Sequence, residues 1–386
     1  MRRAPALIVC AALAACAIGR GAQPLPPLPF ATDTVRSEEI APGVIRRFIY
    51  APSGPWGIYV LDVDLTRCNA AIAVKGASTA AGRTQTTKLL NDLSAMREVI
   101  GGVNADFFSL ANGTPVGALI INDTVVTGPY TQPVLAFDSA GNASALVLHA
   151  SVTVASSAQS LDFSNWNRAA TGAPTFFDSN WGRATDTASQ SIEVVLDGSP
   201  LRVIAIDTAK AGVPIPPRGA VLMVGRTADS LARAAVMRFR VGDSVRITRR
   251  LAPVHPREAV GGRPMLVRDS AVVPEVETEG QASFIARNPR TAAGIARNGR
   301  RLILAVIDGR QKGYSDGMTL RETADLMRAL GARDAINLDG GGSSTLVYRT
   351  PAGMRIASHP SDSLPNGIHV ERPVGDALAI VRTCRR

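Results

Sequence analysis

The chain has 386 residues, 46% of them hydrophobic and 19% charged, which excludes an intrinsically disordered protein and predicts a packed globular core. Its 35 glycines and 25 prolines favour short strands and turns over a helical bundle. The net charge of +10 comes almost wholly from arginine, but no basic cluster is interleaved with aromatic residues, so no nucleic-acid partner is expected.

Residues 1–22 have the composition of a secretory signal. Arg2 and Arg3 precede an apolar run over 4–15, which is too short for a permanent membrane anchor. The signal is compatible with ordinary cleavage, or with a lipoprotein in which Cys16 carries the lipid. We therefore expect an exported protein that is periplasmic, secreted or lipid-anchored at the envelope, and that contacts the membrane only through that lipid.

The rest of the chain divides by composition. Residues 23–55 begin with a proline-rich stretch over 24–29, which should be extended, and are predicted to be a linker and first strand region. Residues 56–384 are predicted to form one large domain. Within it, residues 151–250 carry few motifs and are interpreted as scaffold or as an insertion beside a cleft.

Two cysteines, Cys68 and Cys384, remain once the leader is removed. Export places them in an oxidising compartment. Each follows a strand-like run, over 58–65 and 377–381. We predict that these two strands are neighbours joined by a Cys68–Cys384 disulfide; the alternative is two free thiols.

The first two thirds of the chain predict short strands with few helices. Residues 58–65 alternate with period two, and leucines at helical spacing predict a helix over 86–97. The remaining predicted elements are a strand over 99–104, hairpins formed by 118–121 with 124–127 and by 192–196 with 201–206, and a short helix over 227–235.

The segment 301–348 predicts a strand, a helix and a second strand. An apolar run over 302–307 is typical of a strand buried on both faces. Thr319 and Glu322 have the spacing of a capping box, and the helix should end at Gly331. With a second strand over 334–338 this is a βαβ unit, whose strands should be parallel. The fold class is therefore α+β, with a mixed sheet.

Each strand of that unit is followed by an aspartate, Asp308 and Asp339. Parallel strands would place both at the same sheet edge, roughly 5–10 Å apart, a separation that paired carboxylates use in sugar transfer. The Gly340-Gly341-Gly342 run after Asp339 removes side chains, so that an anion can approach the backbone. The sequence thus predicts an anionic-sugar site at this edge.

The order of motifs resembles the phosphodiester glycosidase family, roughly from Ile58 to Val381. The most specific motif is the run Asn-Leu-Asp-Gly-Gly-Gly-Ser over 337–343. The others, in chain order, are Asn-Ala-Asp-Phe-Phe over 104–108, Gly117, Gly-Gly-Arg-Pro over 261–264, Arg290-Thr291, Asp-Gly-Arg over 308–310, Pro-Ser-Asp over 360–362 and Arg372-Pro373. Residues 151–250 match poorly, and Ser358 stands where many bacterial relatives have Asn.

This resemblance implies hydrolysis of the sugar C1–O bond in a sugar-1-phosphodiester, with release of free sugar and a phosphomonoester. Asp339 is expected to be nucleophile or base, with Asp308 as the second carboxylate. Substrate is expected to be bound by Asn104 at the sugar and, mainly at the phosphate, by Arg290, Thr291, Arg310, Gly341, Gly342, Ser343, Asp362 and Arg372.

Two other functions remain open. One is a non-catalytic envelope protein that binds an anionic glycan or exopolysaccharide in the same cleft; the other is a phosphodiesterase that cleaves the P–O bond. No cofactor is expected, although a divalent cation near Asp308 or Asp339 is compatible with the sequence. The four histidines have no metal-ligand spacing; His359 is of interest because it adjoins the Pro-Ser-Asp motif.

Overall fold

The computed structural model describes residues 24–168, 173–185, 191–208, 212–225, 227–278 and 280–384. The predicted leader, with Arg2, Arg3 and Cys16, lies outside them. Among the described helices, none has the length and apolar character needed to cross a bilayer.

The described chain is mostly β-structure, with 45% strand and 10% helix. The strands of its first half are β1 (Thr34–Ala41), β2 (Val44–Ala51), β3 (Trp56–Asp64), β4 (Asn69–Val74), β5 (Thr84–Gln85), β6 (Val99–Asn104), β7 (Leu119–Ile121), β8 (Thr124–Thr127), β9 (Pro133–Phe137), β10 (Ala143–Val147), β11 (His149–Ala155), β12 (Ser160–Phe163), β13 (Asn165–Trp166), β14 (Thr175–Asp178), β15 (Ser191–Asp197) and β16 (Arg202–Asp207).

The strands of the second half are β17 (Ala220–Gly225), β18 (Arg246–Ala252), β19 (Glu258–Gly261), β20 (Met265–Arg268), β21 (Ala271–Val272), β22 (Arg290–Ala296), β23 (Arg301–Ile307), β24 (Asp334–Asn337), β25 (Leu346–Thr350), β26 (Gly353–Ile356), β27 (Asp362–Ser363), β28 (His369–Val370), β29 (Pro373–Val374) and β30 (Ala377–Arg382). The helices are α1 (Thr86–Leu93), α2 (Ser230–Val236), α3 (Ala282–Ile285) and α4 (Leu320–Ala329), with 3-10 turns at Pro274–Glu277 and Gly341–Ser343.

An eight-stranded sheet, here called the central sheet, has the order β1-β2-β3-β23-β22-β24-β20-β21. The period-two alternation predicted for β3 is confirmed, and its alternate residues belong to two different cores. Tyr59 and Leu61 belong to a core shared with other sheets, whereas Ile58 and Val60 face the core under α4. The central sheet is therefore buried on both faces, because other sheets cover one side and α4 covers the other.

The predicted βαβ unit needs correction. β23, α4 and β24 follow one another in the chain, but β22 lies between the two strands and is antiparallel to both. Because β22 is antiparallel to both β23 and β24, those two strands run in the same direction. Asp308 and Asp339, which follow them, therefore lie at the same edge of the sheet. About 10 Å of sheet separates their strands. The burial of β23 on both faces, which suggested a parallel sheet, arises here from layers packed on an antiparallel one.

The mixed sheet is also corrected: every neighbouring pair in the central sheet is antiparallel. Among described strands, parallel pairing is confined to β13 and β14. The capping box is confirmed, because the Thr319 hydroxyl accepts from the Glu322 N–H and the Glu322 carboxylate accepts from the Thr319 N–H. The helix predicted over 86–97 is shorter, ending at Leu93.

The Cys68–Cys384 disulfide is confirmed, with the two Cα atoms 5.4 Å apart. The strands predicted to be neighbours are not. β30 pairs with β4 and β6 in a five-stranded sheet of order β26-β25-β6-β30-β4, whereas β3 belongs to the central sheet. Cys68 lies between β3 and β4, so the partner of β30 is the strand that follows the cysteine.

Residues 151–250 build most of two further sheets, of orders β12-β11-β18 and β13-β14-β17-β15-β16. They share a core with the sheet of order β10-β9-β19-β7-β8, through residues such as Ile120, Val134 and Ala259. The hairpins predicted on either side of Asn122-Asp123 and Asp197-Gly198 form as β7–β8 and β15–β16. The division of the chain into linker, domain and insertion stays a prediction.

Candidate functional site

The segment 339–344, here called the glycine loop, follows β24 at the edge of the central sheet. Two hydrogen bonds hold its first residue: the Asp339 N–H donates to the Ala105 carbonyl at 2.9 Å, and the Asn104 side chain donates to the Asp339 carbonyl at 2.7 Å. Gly341 has φ +62°, a left-handed conformation that glycine adopts without strain. The loop therefore begins at a fixed position beside the end of β6.

Asp339 is half-buried at the start of this loop. Burial raises the pKa of its carboxyl group to about 7, and the nearby Ser343 hydroxyl, the Arg372 guanidinium and the Gly340 N–H only partly oppose this. The Ser343 hydroxyl is near the Asp339 carboxyl group but makes no hydrogen bond within the structure. A carboxyl group with a pKa near 7 can exchange a proton at neutral pH, as acid–base chemistry requires.

Two guanidinium groups flank the glycine loop. A methyl group at Gly341 would lie 3.3 Å from Nη2 of Arg310. A methyl group at Gly342 would collide with the ion pair of Asp362 and Arg372. Absence of side chains at these two glycines thus lets the exposed Arg310 and the ion-paired Arg372 approach the backbone, so guanidinium donors suited to an anion lie beside the loop.

The roles of the two flanking arginines differ. Arg372 holds Asp362 through two parallel hydrogen bonds of 2.7 and 2.9 Å. Arg310 donates to the Asn288 side chain at 2.8 Å and is exposed. Asp362, predicted to bind substrate, is therefore the partner that orients Arg372.

The loop amides offer less to an anion than the sequence suggested. The Gly341 N–H donates to the Pro289 carbonyl at 2.9 Å, and the Ser343 N–H donates to the Gly340 carbonyl at 3.2 Å. These two donors are already in use within the protein. Binding of an anion here would depend mainly on the guanidinium groups of Arg310 and Arg372.

Asn104 and Thr291, both predicted to bind substrate, are fully buried. The Asn104 carbonyl oxygen accepts from the Thr291 hydroxyl at 2.8 Å and from the Thr345 N–H at 3.1 Å. Its amide group donates to the Asp339 carbonyl, as described above. Asn104 therefore joins β6, β22 and the glycine loop, and holds the backbone of Asp339 in place.

Arg290 is also used differently from the prediction. It is 2% exposed, and its Nε and Nη2 groups donate to the carbonyls of Met318, Phe284 and Ala286 at 2.6–2.9 Å. Burial and the Arg310 charge lower its pKa to about 10. Three of its five N–H groups thus stabilise backbone around the site, so most of this side chain cannot grip a phosphate.

Asp308 is 1% exposed and its carboxylate is fully engaged. Oδ1 accepts from the His359 N–H at 2.9 Å, while Oδ2 lies 3.0 Å from His359 Nδ1 and accepts from the Tyr314 hydroxyl at 3.2 Å. Burial raises the pKa of Asp308 although these hydrogen bonds oppose it. Asp308 is therefore shielded from solvent, and it contacts the exposed side chain of His359.

His359 is the functional candidate that the motif reading undervalued. Its side chain is 58% exposed, and its Nδ1 lies 3.0 Å from both Asp308 and the Tyr59 hydroxyl. The hydrogen bond to Asp308 raises the pKa of His359. The available signal was its position three residues before Asp362, which places it beside the Arg372 ion pair.

Two buried carboxyl groups behind the glycine loop were not predicted. Burial and mutual repulsion raise the pKa of Asp106, and burial raises that of Asp376 to about 6 despite the nearby Lys75 ammonium. Asp106 accepts from the Gly117 N–H at 2.7 Å, and Asp376 accepts from the Asp106 N–H at 2.7 Å. They fix the 105–117 segment against β30. In the described part of the chain, no group of three or more His, Cys, Asp or Glu side chains is placed to hold a metal ion.

Buried hydroxyl groups without partners gather around the loop. Ser344, Thr345 and Ser361 have side-chain oxygens that are shielded from solvent and make no hydrogen bond within the structure. Such groups are costly to bury, because each loses its hydrogen bonds to water. Ser344 and Thr345 follow the glycine residues of the loop and Ser361 precedes Asp362, so these unpaired hydroxyls lie on the packed side of the candidate site.

Solved structures share the fold. A hypothetical protein from Synechocystis has a TM-score of 0.75 at 21% identity, over 91% of this chain and 64% of its own. A candidate exported protein from Burkholderia pseudomallei K96243 has a TM-score of 0.70 at 22% identity, over 93% of this chain and 98% of its own. This chain thus spans less than two thirds of the Synechocystis protein. At these identities the similarity shows the fold alone.

A third structure is the catalytic domain of zebrafish N-acetylglucosamine-1-phosphodiester alpha-N-acetylglucosaminidase, auto-inhibited by its pro-peptide. It has 16% identity over 92% of this chain and 88% of its own, with a TM-score of 0.49, which is too low to carry an inference. No curated protein matches the chain in sequence.

The sequence profile of the phosphodiester glycosidase family matches residues 190–381. This range includes the glycine loop, Asp308, Arg310, His359 and Arg372. It does not include the Asn-Ala-Asp-Phe-Phe motif over 104–108 or Gly117, which lie before it. Over residues 190–381, the chain is therefore similar in sequence to the phosphodiester glycosidase family.

Proposed function

We propose that the chain hydrolyses the C1–O bond of a sugar-1-phosphodiester and releases a free sugar and a phosphomonoester. The observation that carries this proposal is the position of Asp339, a carboxyl group with a pKa of about 7, on a glycine loop flanked by Arg310 and Arg372. A reactive carboxylate beside two cations is the set of groups that this bond cleavage needs.

The leaving group explains why cations matter here. Cleavage at C1 leaves the bonding electron pair on a phosphate oxygen, so the departing group carries two negative charges until it takes up a proton, with a pKa near ~6. A phosphate leaving group needs less protonation by a general acid than a sugar alkoxide. Arg310 and Arg372 would stabilise its growing charge, because each guanidinium can donate two hydrogen bonds in a plane.

Asp339 would act on the sugar carbon. Its carboxylate either forms a bond to C1, which water later breaks, or accepts a proton from the water that attacks C1. In both routes water supplies the hydroxyl group of the free sugar and a proton for the medium or the phosphate. Asn104 and Thr291 support this step by fixing the backbone of Asp339.

We further propose an extracytoplasmic substrate, such as an anionic envelope polymer or exopolysaccharide. This follows from the leader-like sequence over 1–22 and the predicted export. Cys16 would determine whether the protein is anchored by lipid or released.

Isotope-labelled water tests the bond that is cleaved. A panel of sugar-1-phosphodiesters is incubated in heavy-oxygen water, and the phosphomonoester is analysed by phosphorus NMR or mass spectrometry. Cleavage at C1–O leaves the phosphate unlabelled. Label in the phosphate, or release of sugar-1-phosphate, would instead show a phosphodiesterase.

Binding without turnover would support the non-catalytic alternative. The Asp339→Asn variant keeps the shape of the side chain but has no carboxylate, so it should bind the substrates that the wild type cleaves and fail to cleave them. Asp269→Asn, at an exposed turn where the carboxylate pairs with Arg333, is the matched control. If the wild type binds these diesters with no turnover under any condition that keeps it folded, the hydrolase proposal is wrong.

A further inference from the structure

A cavity of about 480 Å³ opens beside the Asp308 end of the site. It lies at the β1–β2 edge of the central sheet, and Phe48, Tyr59, Tyr314 and His359 form its wall. We call it the aromatic pocket. Its volume lies in the range of pockets that hold small molecules, and its wall is aromatic with a few polar groups at defined positions, as is usual for such sites.

The strand register builds one side of this pocket. Arg36 of β1 is paired with Phe48 of β2, and Phe48 is paired with Tyr59 of β3, so the three side chains form a row across one sheet face. Further along the sheet, residues on this same face pack into the core to which Tyr59 and Leu61 belong. Near the edge the core ends, and Phe48 and Tyr314 stay only partly buried. The aromatic surface is thus open to a ligand.

Hydrogen bonds make the far wall rigid. The Tyr59 and Tyr314 hydroxyls lie 3.0 Å apart, and His359 Nδ1 lies within 3.3 Å of both. Asp308 accepts from this cluster behind the wall. With Nδ1 turned toward Asp308, the other ring nitrogen of His359 is directed away from the buried carboxylate.

The charges lining the pocket favour an anion. Arg46 is neutralised by Glu38, with an ion pair of 2.7 Å, and lies over the Tyr348 ring. Arg36 is exposed, and no carboxylate pairs with it among the described residues. A cation without a partner beside aromatic faces fits a ring that carries an acid group.

The aromatic pocket is close to the glycine loop. The Gln311 side chain donates to the His359 carbonyl at 2.9 Å, while the preceding residue, Arg310, lies over Gly341. In the other direction, Asp362 is three positions after His359, which is at most about 10 Å of extended chain. One extended substrate can therefore reach both places.

We propose that the aromatic pocket binds an anionic saccharide residue of the substrate, next to the phosphodiester that is cleaved. The sugar ring packs on Phe48 and Tyr314, and its carboxylate or phosphate is bound by Arg36. The identity of the scissile bond in this proposal rests on the proposed function. The existence of the pocket and its charge are independent of that function. The proposal identifies the substrate class as a glycan that carries a carboxylate or phosphate next to the scissile phosphodiester.

The test compares three substrates with the same scissile sugar-1-phosphate and different aglycones: glucose, glucuronate and glucose 6-phosphate. We expect kcat/KM to be about tenfold higher for the two acidic aglycones, the effect of one charge-assisted hydrogen bond. In Arg36→Ala this preference should fall below about twofold, and Arg36→Lys should keep part of it. Arg218→Ala, at an exposed turn outside the pocket, is the matched control. A preference for only one acid identifies carboxylate or phosphate as the group that is recognised.

Calorimetric binding of a glucuronate disaccharide without a phosphodiester separates this proposal from the proposed function. Binding that exceeds that of the neutral disaccharide, and that requires Arg36, supports the pocket even if no diester is cleaved. Equal binding of both disaccharides, or a preference that survives in Arg36→Ala, overturns it. Because Arg36 is exposed on an edge strand, its replacement should leave the fold intact.

Discussion

Two aspartates leave the same edge of the central sheet, each followed by glycine, yet their surroundings are opposite. Asp308 is buried and every carboxylate oxygen has a partner from His359 or Tyr314. Asp339 is half-buried among hydroxyl groups that lack partners, and its carboxyl pKa is about 7. The same signature, an aspartate followed by glycine at the end of a strand, occurs twice. At one position it supplies a group that positions its neighbours, and at the other it supplies a group that remains free to react.

The largest expected effect distinguishes the two carboxylates directly. Asp339→Asn should lower kcat/KM by about 10³-fold or more, because it removes the group that acts on the sugar. In the wild type, kcat/KM should rise as the pH passes through about 7, since the carboxylate form is the reactive one. Steady-state kinetics across pH 5–9 on a sugar-1-phosphodiester would measure both. A flat pH profile would contradict the assignment.

Asp308→Asn should have a smaller effect, about 10²-fold or less, because Asp308 acts by holding His359. His359→Gln should cost a similar factor, and the double variant should lose little more than either single variant, since both changes break one interaction. Kinetics of the three variants and of His255→Gln, an exposed control, would measure this. If Asp308→Asn is as damaging as Asp339→Asn, the contrast between the two aspartates is wrong.

Gly342→Ala should lower kcat/KM by about tenfold, because the added methyl group displaces the Asp362–Arg372 pair and thereby the cation beside Asp339. Gly182→Ala is the control, since its methyl group would meet only the Ala184 carbonyl, at 3.9 Å. Parallel kinetics and thermal unfolding would separate loss of activity from loss of fold. If the kinetics of Gly342→Ala are unchanged, the Asp362–Arg372 ion pair is not part of the site.

The smallest expected effect is on stability. The folded-state pKa of Asp339 is raised, so its favourable contribution is present below pH ~4 and is lost as the pH rises through about 7. Asp339→Asn should therefore melt a few degrees above the wild type at pH 8, where about 1 kcal/mol corresponds to 2–4 °C. The two melting temperatures should converge near pH 4. A variant that is less stable at pH 8 would indicate that Asp339 is a structural group.

The sequence alone determined those features that depend on neighbours along the chain. The capping box of Thr319 and Glu322, the hairpin turns and the apolar alternation of β3 formed as predicted, because local hydrogen bonds and a two-residue repeat are written in adjacent residues. The Cys68–Cys384 bond was also predictable, since these are the two cysteines of the chain that lie outside the predicted leader.

The tertiary structure decided what depends on distant segments. It placed β22 between β23 and β24, paired β30 with β4, and turned Asn104 and Arg290 into groups that hold the backbone. It also brought His359 to Asp308, 51 positions earlier in the chain, and Arg36 to the edge of the aromatic pocket. Sequence motifs specify which side chains are present, but strand order and burial determine which of them keep a free hydrogen-bonding group for a ligand.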